Sequence, residues 1–253
     1  MARIICITNQ KGGVGKTTTT VNLASCMAAI EKKTLLVDMD PQGNSTSGVG
    51  LDKTQCDPNI YNVLMGDADI LGVIRPTELK KLFCAPSNGH LTGAEVELVG
   101  LEERETRLKK ALSSIAKDFD FILIDCPPSL GFLTLNALVA ADSVLIPVQS
   151  EYYALEGLSS LMETVERIRE SLNPKLEIEG ALLTMHDSRT RISSQVADEV
   201  RKFFGEKVYN TVIPRNVQLS ESPSFGKPII LYDIRSSGAQ AYLNLTKEVV
   251  RHG

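Results

Sequence analysis

The stretch Ile4-Ile5-Cys6-Ile7-Thr8-Asn9-Gln10-Lys11-Gly12-Gly13-Val14-Gly15-Lys16-Thr17-Thr18 decides the fold. An apolar strand runs into a glycine-rich turn, and the turn opens into a helix. Such a turn aims several backbone N–H groups at one point, and the helix N-terminus adds the positive end of its dipole there. The point suits a polyphosphate. Lys16 is placed to neutralise the β and γ phosphates, and the Thr17 hydroxyl is placed to ligate Mg²⁺. Gly12, Gly13, Val14, Gly15 and Thr18 complete the cradle. The ordinary pattern G-x-x-x-x-G-K-[ST] asks for glycine where this chain has Gln10, and it has no counterpart for the extra lysine, Lys11. A dinucleotide fingerprint G-x-G-x-x-G begun at Gly13 fails at Thr18.

Outward from that loop, short apolar runs alternate with helical periodicity. Strands are expected over residues 3–8, 34–38, 121–125, 143–148, 178–184 and 208–213. Helices are expected over 17–31, 101–117, 155–172, 193–204 and 238–251, and residues 41–59 read as loop. Near-continuous apolar strands separated by helices imply a doubly wound, mostly parallel α/β sheet with helices on both faces. Ligands of such sheets gather at the carboxyl ends of the strands, where the loop 11–17 and the acids Asp38, Asp40 and Asp125 all fall. Asp125 ends an apolar strand in the manner of a Mg²⁺-orienting acid. Side chains of neighbouring residues diverge at a strand end, so one of Asp38 and Asp40 is expected at the γ-phosphate. Asp40, further out, is the better candidate to orient the attacking water, with Asp38 as its structural partner.

Composition narrows the class. The 253 residues, 43% hydrophobic and 23% charged, suit one α/β domain spanning 1–253, with a core that needs neither disulfide nor structural metal. The five cysteines form no C-x-x-C pair, which fits a reducing cytoplasm. His90, His186 and His252 show no metal-ligand spacing. Neither a signal peptide nor a run of 18 apolar residues is present, so no membrane association is expected. The net charge of −4 disfavours a globally basic nucleic-acid binder, yet residues 186–253 carry ten Lys/Arg against seven Asp/Glu, which permits a basic face.

Lys11-Gly-Gly-Val-Gly-Lys-Thr-Thr18, Asp38-Met-Asp-Pro-Gln-Gly-Asn44 and Asp125-Cys-Pro-Pro-Ser129 together resemble the ParA/MinD group of deviant P-loop ATPases. Glu151-Tyr-Tyr-Ala-Leu-Glu-Gly157 and Ile213-Pro-Arg-Asn-Val-Gln-Leu-Ser-Glu221 narrow the resemblance to the small chromosomal ParA branch, Soj, from about residue 3 to 250. The resemblance implies a Mg²⁺-dependent, slow ATPase, alternating between an ATP-bound homodimer and an ADP-bound monomer. It implies that Lys11 reaches across the dimer interface to the partner's ATP, beside Gly12 where the two backbones approach. Pro214 and Asn216 match adenine-contacting positions, and Asp40 matches the residue needed for hydrolysis, so Lys11, Lys16 and Asp40 form the catalytic set. Thr17, Asp40 and Asp125 form the metal set.

By the same resemblance the dimer binds double-stranded DNA without sequence preference. Arg189 is the leading contact, followed by Lys202, Lys227 and Lys247. A ParB-type centromere-binding partner stimulates hydrolysis, and the protein is cytoplasmic and nucleoid-associated. The chain opens directly on its first strand, so no separate N-terminal DNA-reading module is expected. Tyr152-Tyr153 reads as interface packing rather than a stacking platform. Three alternatives stand beside this reading. A MinD-like membrane-associated switch needs a cationic amphipathic tail. An iron–sulfur electron carrier needs a surface cysteine pair bridging a cluster across the dimer. A metabolic ligase on the same fold needs a small acid substrate.

Overall fold

A computed structural model describes residues 1–151 and 157–251. The elements follow in the order β1 (Arg3–Ile7), α1 (Lys16–Ala29), β2 (Thr34–Asp38), α2 (Asn44–Gly48), α3 (Ile60–Met65), α4 (Ile70–Val73), β3 (Arg75–Pro76), β4 (Leu82–Ala85) and α5 (Leu91–Glu97). They continue with α6 (Arg107–Ile115), β5 (Phe121–Asp125), α7 (Phe132–Ala140), β6 (Ser143–Gln149), α8 (Leu158–Ser171), β7 (Glu177–Thr184), α9 (Arg191–Phe204), α10 (Val217–Glu221), α11 (Ile229–Tyr232) and α12 (Ser237–Arg251). The seven strands form one sheet in the order β3-β4-β2-β5-β1-β6-β7, parallel except for the short edge strand β3. This is the doubly wound α/β architecture expected from the sequence.

Both faces of the sheet are covered, which is why its strands lack a polar side. Ile5, Ile7, Leu36, Leu123, Leu145 and Leu182 point to one core, closed by α1 and α12. Their neighbours Ile4, Cys6, Leu35, Val37, Ile122, Ile124, Val144 and Ile146 point to the other, beneath α3 and α5–α9. Strand alternation thus feeds two apolar layers instead of one. The register also matters for function: Ile7 pairs with Asp125, and Asp38 pairs with Asp125. The ends of β1, β2 and β5 therefore lie at one level.

Several elements depart from the sequence reading. The span 41–59 contains α2, which starts after Gly43 in the left-handed region (φ 62°). Polar, turn-forming residues hid it, because its contribution is a set of hydroxyls rather than an apolar stripe. The helix expected over 101–117 begins only at Arg107, after a turn through Glu103 at φ 53°. Helix α7 was not anticipated, being apolar nearly all round and so without helical periodicity. Strands β3 and β4 were too short to read, and Pro76 is tolerated because β3 is an edge.

Residues 208–213 are a correction: they run beside β7 but form no strand. Tyr209 N donates to Ala181 O (3.0 Å) and Ile213 N to Leu183 O (2.8 Å). Between them, Asn210 N and Thr211 N donate to the Glu248 carboxylate of α12, which takes them out of the ladder. Tyr152-Tyr153, the start of the 155–172 helix and His252 lie outside the described residues. Among the described residues no helix is long and apolar enough to cross a membrane.

Leu123, fully buried on the central strand β5, tests the core assignment. Leu123→Ala is expected to lower unfolding free energy by about 2–5 kcal/mol in a urea titration. Phe203→Ala, on the half-exposed outer face of α9, is expected to change it by no more than about 0.5 kcal/mol.

Candidate nucleotide site

The loop between β1 and α1 is built by glycine conformation. Gly13 (φ 75°) and Gly15 (φ 87°) occupy the left-handed region, which bends the chain so that α1 starts at Lys16. The loop is tied down at three points. Asn9 donates from Nδ2 to Pro147 O (2.7 Å) and accepts Lys11 N at Oδ1 (3.0 Å). Thr184, at the end of β7, donates from Oγ1 to Val14 O (2.8 Å). Gln10 donates from Nε2 to Ser160 Oγ on α8 (3.0 Å). Gln10, at the position where the ordinary pattern has glycine, thus fastens the loop to a neighbouring helix.

The two lysines differ sharply. Lys16 is buried, and its Nζ donates to Lys11 O (3.0 Å). Burial lowers its pKa, opposed by the nearby Asp125, Cys126 and Asp40. Lys11 is half-buried, and its ammonium makes no hydrogen bond or ion pair among the described residues. Gly12 and Gly13 beside it are exposed.

Three acids meet this loop. Asp125 is fully buried at the end of β5, with Oδ1 accepting Thr20 Oγ1 (3.1 Å) and Oδ2 accepting Ser45 Oγ (2.6 Å). Burial pushes its pKa up to about 6, against the hydroxyls of Ser45, Thr17 and Thr20, which favour the ionised form. Asp38 is also fully buried. It accepts Thr46 N (2.8 Å), Thr46 Oγ1 (2.7 Å) and Asp40 N (3.1 Å). Burial, and then the charge of Asp125, push it up to about 7. Its carboxylate is consumed in holding the turn 38–46. Asp40 accepts Gln42 N (2.9 Å), and its carbonyl accepts Ser87 Oγ (2.8 Å). The hydroxyls of Thr20, Ser45, Thr46, Ser87 and Thr184 were missed in the sequence. The run Thr17–Thr20 at helical spacing and the run Ser45-Thr46-Ser47 after Asp40 were the available signals.

A cavity of about 290 Å³ opens from Gly15 and Thr18 and is walled by Thr184, Met185, Pro214, Asn216 and Tyr242. Pro214 and Asn216 therefore come to the phosphate loop despite lying some 200 positions away. Asn216 caps α10 by accepting Leu219 N (3.0 Å) and donates to Ser237 Oγ (3.0 Å), so its amide fixes the wall of the cavity. The four basic candidates lie on separate segments of the chain. Arg189 is exposed ahead of α9 and forks onto Asp187 through Nε (2.9 Å) and Nη2 (2.8 Å), which holds the Asp187 carboxyl well below its usual range. Lys202 lies in the last turn of α9, roughly 16 Å along the helix from Arg191 at 1.5 Å per residue. Lys227 lines a second cavity with Thr17, Thr18, Asn44 and Ser47, and Lys247 is on α12. Cys126 is buried with its Sγ 3.4 Å from Cys6 Sγ, which removes the surface thiol an iron–sulfur carrier would need.

A glycine loop capping α1, a buried lysine, two acids at adjacent strand ends and a cavity at the loop's exit define a P-loop nucleotide triphosphatase. A family model described as AAA domain matches residues 2–178. The chain is 58% identical to the sporulation initiation inhibitor protein Soj of Bacillus subtilis, over all of both chains. It is 57% identical to the chromosome partitioning protein ParA of Myxococcus xanthus, over 99% of this chain and 89% of that one. Among solved structures, a cobyrinic acid a,c-diamide synthase from Mycobacterium smegmatis, bound to an ATP analogue and magnesium, superposes with TM-score 0.88. It is 35% identical, over 100% of this chain and 96% of that one. The chain belongs to the Soj/ParA family of chromosome-partitioning ATPases.

The division of labour between Asp38 and Asp40 is testable without nucleotide. Asp38→Ala strands three buried donors and is expected to cost about 1–3 kcal/mol in urea unfolding. Asp40→Ala, which frees one donor near the surface, is expected to cost less than Asp38→Ala in the same measurement.

Proposed function

We propose that residues 1–253 form a single ATPase domain that works as a dimer switch on DNA. The carrying observation is the contrast between the two loop lysines. Lys16 is buried against the acids of its own subunit, whereas the Lys11 ammonium, beside exposed Gly12 and Gly13, has no partner among the described residues. A cation presented outward from a phosphate loop fits a role in a second subunit's site, where it offsets charge on the γ-phosphate as an arginine finger does.

In this reading the backbone N–H groups of residues 12–18 and the start of α1 hold the phosphates of ATP. Lys16 neutralises them, and the cavity at Pro214 and Asn216 takes the adenine. The oxygens of Thr17, Asp40 and Asp125 suit magnesium, a hard cation. Among the described residues no three carboxylate, imidazole or thiol groups gather to hold an ion unaided. Magnesium, when bound, supplies positive charge against the phosphate oxygens. Asp40 orients the attacking water. Since that positive charge is completed only by the partner's Lys11, a lone subunit turns over slowly.

Two small basic surfaces combined by dimerisation let a protein of net charge −4 bind DNA, without sequence preference and with steep salt dependence. Arg189 contributes by exchanging Asp187 for a phosphate, with Lys202, Lys227 and Lys247 as further contacts. A ParB-type partner stimulates hydrolysis and releases the dimer. The protein is accordingly cytoplasmic and nucleoid-associated.

Light scattering after size exclusion tests the switch. Asp40→Ala is expected to be dimeric with ATP and monomeric with ADP, and a monomer in both would refute the sandwich. Arg189→Glu is expected to keep the ATP dimer while its DNA retention falls by at least about tenfold, the loss of a phosphate contact and its replacement by repulsion. Unchanged retention across a salt series would remove Arg189 from the DNA surface.

A further inference from the structure

We infer that Glu95 is a positioning residue for hydrolysis, a carboxylate bridge that ties the loop after Asp125 to the segment that holds Asp40. The inference rests on the ATPase reading of the site and adds a residue remote from it in sequence.

The loop 126–131 leads from Asp125 into α7, whose first N–H groups have no partner within the helix. Gly131 stands at the N-cap position and has no side chain to supply one. Glu95 of α5 does so from 36 residues upstream: Oε2 accepts Phe132 N (2.7 Å) and Oε1 accepts Leu133 N (3.3 Å). Charge-assisted bonds of this kind, at the positive end of a helix, are among the stronger caps.

Gly131 itself records the arrangement. Its backbone angles, φ −86° and ψ −168°, are open to any residue, so conformation does not call for glycine here. Space does. A Cβ at Gly131 would lie 2.3–2.6 Å from the Glu95 carboxylate, closer than any real contact. The missing side chain makes room for the bridge.

The other end of the bridge reaches Asp40. Helix α5 follows Ser87, whose Oγ donates to Asp40 O (2.8 Å) and whose N donates to Thr46 Oγ1 (2.9 Å). Thr46 in turn donates to Asp38. A short path therefore runs from Asp40 through Ser87 and α5 to Glu95, then through the first turn of α7 to the loop that begins at Asp125. Near that loop's start Cys126 N donates to Ile7 O (3.3 Å), and further along Thr134 Oγ1 donates to Ser129 O (2.6 Å). Glu95 ties the α7 end of the loop to the segment after Ser87, in addition to the direct bonds at its other end, where Met39 N donates to Asp125 O (2.9 Å) and Ser45 Oγ to Asp125 Oδ2 (2.6 Å). The paired strand ends set the spacing of the two acids, and Glu95, which touches neither, holds the loop that leads away from Asp125.

Steady-state phosphate release by the full chain, over a range of ATP concentrations, tests this with Glu95→Ala, Glu95→Gln, Gly131→Ala and the Glu95→Ala/Gly131→Ala double variant. Glu95→Ala and Gly131→Ala are each expected to lower kcat about 3- to 10-fold, with KM for ATP within about twofold of wild type, the signature of a lost transition-state arrangement. Glu95→Gln keeps one acceptor oxygen and is expected to fall between. The double variant is expected to be no slower than the worse single one, because both changes break the same bridge. Unchanged kcat in the single variants, losses that multiply in the double, or an effect on KM alone would overturn the role. Should Glu95→Ala fail to fold, Gly131→Ala and Glu95→Gln carry the same comparison. Wild-type protein whose hydrolysis does not depend on Lys16, judged by Lys16→Ala, would overturn the ATPase reading and the positioning role with it.

Discussion

The buried carboxylate of Asp125 is the constraint on which the site depends. A charge at the end of a central strand, fully removed from water, is costly unless hydrogen-bond donors surround it. The donors come from Thr20, on the helix that follows the phosphate loop, and from Ser45, on the short helix that follows Asp40. Satisfying one acid therefore fastens α1 and α2 to the same point. The parallel register does the rest, since Ile7, Asp38 and Asp125 share a level across three neighbouring strands. The phosphate loop, Asp125 and the segment that carries Asp40 are brought together by the needs of a single buried group.

This also explains why some of the site was legible and some was not. Glycines at Gly13 and Gly15, with Lys16 and Thr17 after an apolar strand, have one structural use, so the loop could be read directly. The sheet was equally plain, because strands buried on both faces write continuous apolar runs. What escaped was carried by residues with many uses. Serine and threonine are ordinary in loops, and nothing in Ser45-Thr46 says that their hydroxyls face Asp125 and Asp38. Helix α7 escaped for the opposite reason: with nearly every face buried it has no amphipathic signature. The segment 208–213 has the apolar residues of a strand, and only the distant Glu248 decides that its amides leave the ladder.

Asp38 and Asp40 illustrate how two residues of one motif acquire different work. Asp38 is the last residue of β2, and its oxygens face inward to Thr46 and to the Asp40 amide. Asp40 lies past the strand, accepts a single backbone N–H from Gln42, and keeps acceptor capacity on its other oxygen. The inner acid builds the turn that presents the outer one. Burial, and then the charge of Asp125, push the Asp38 pKa up, and its three hydrogen bonds are all spent within the turn.

The same logic separates the two lysines that mark this class of loop. Folding the loop over its own carbonyl takes Lys16 out of water, and the desolvation that lowers its pKa is only partly opposed by Asp125, Cys126 and Asp40. The groups that oppose that desolvation belong to its own subunit. Lys11 is five residues away on the same turn, and its carbonyl is the group that receives Lys16, so its backbone is fixed while its ammonium is left outside that set of groups. A lysine held this way has its backbone ordered at no expense to its charge. That is the property a residue needs if it is to meet a phosphate group the subunit does not itself hold.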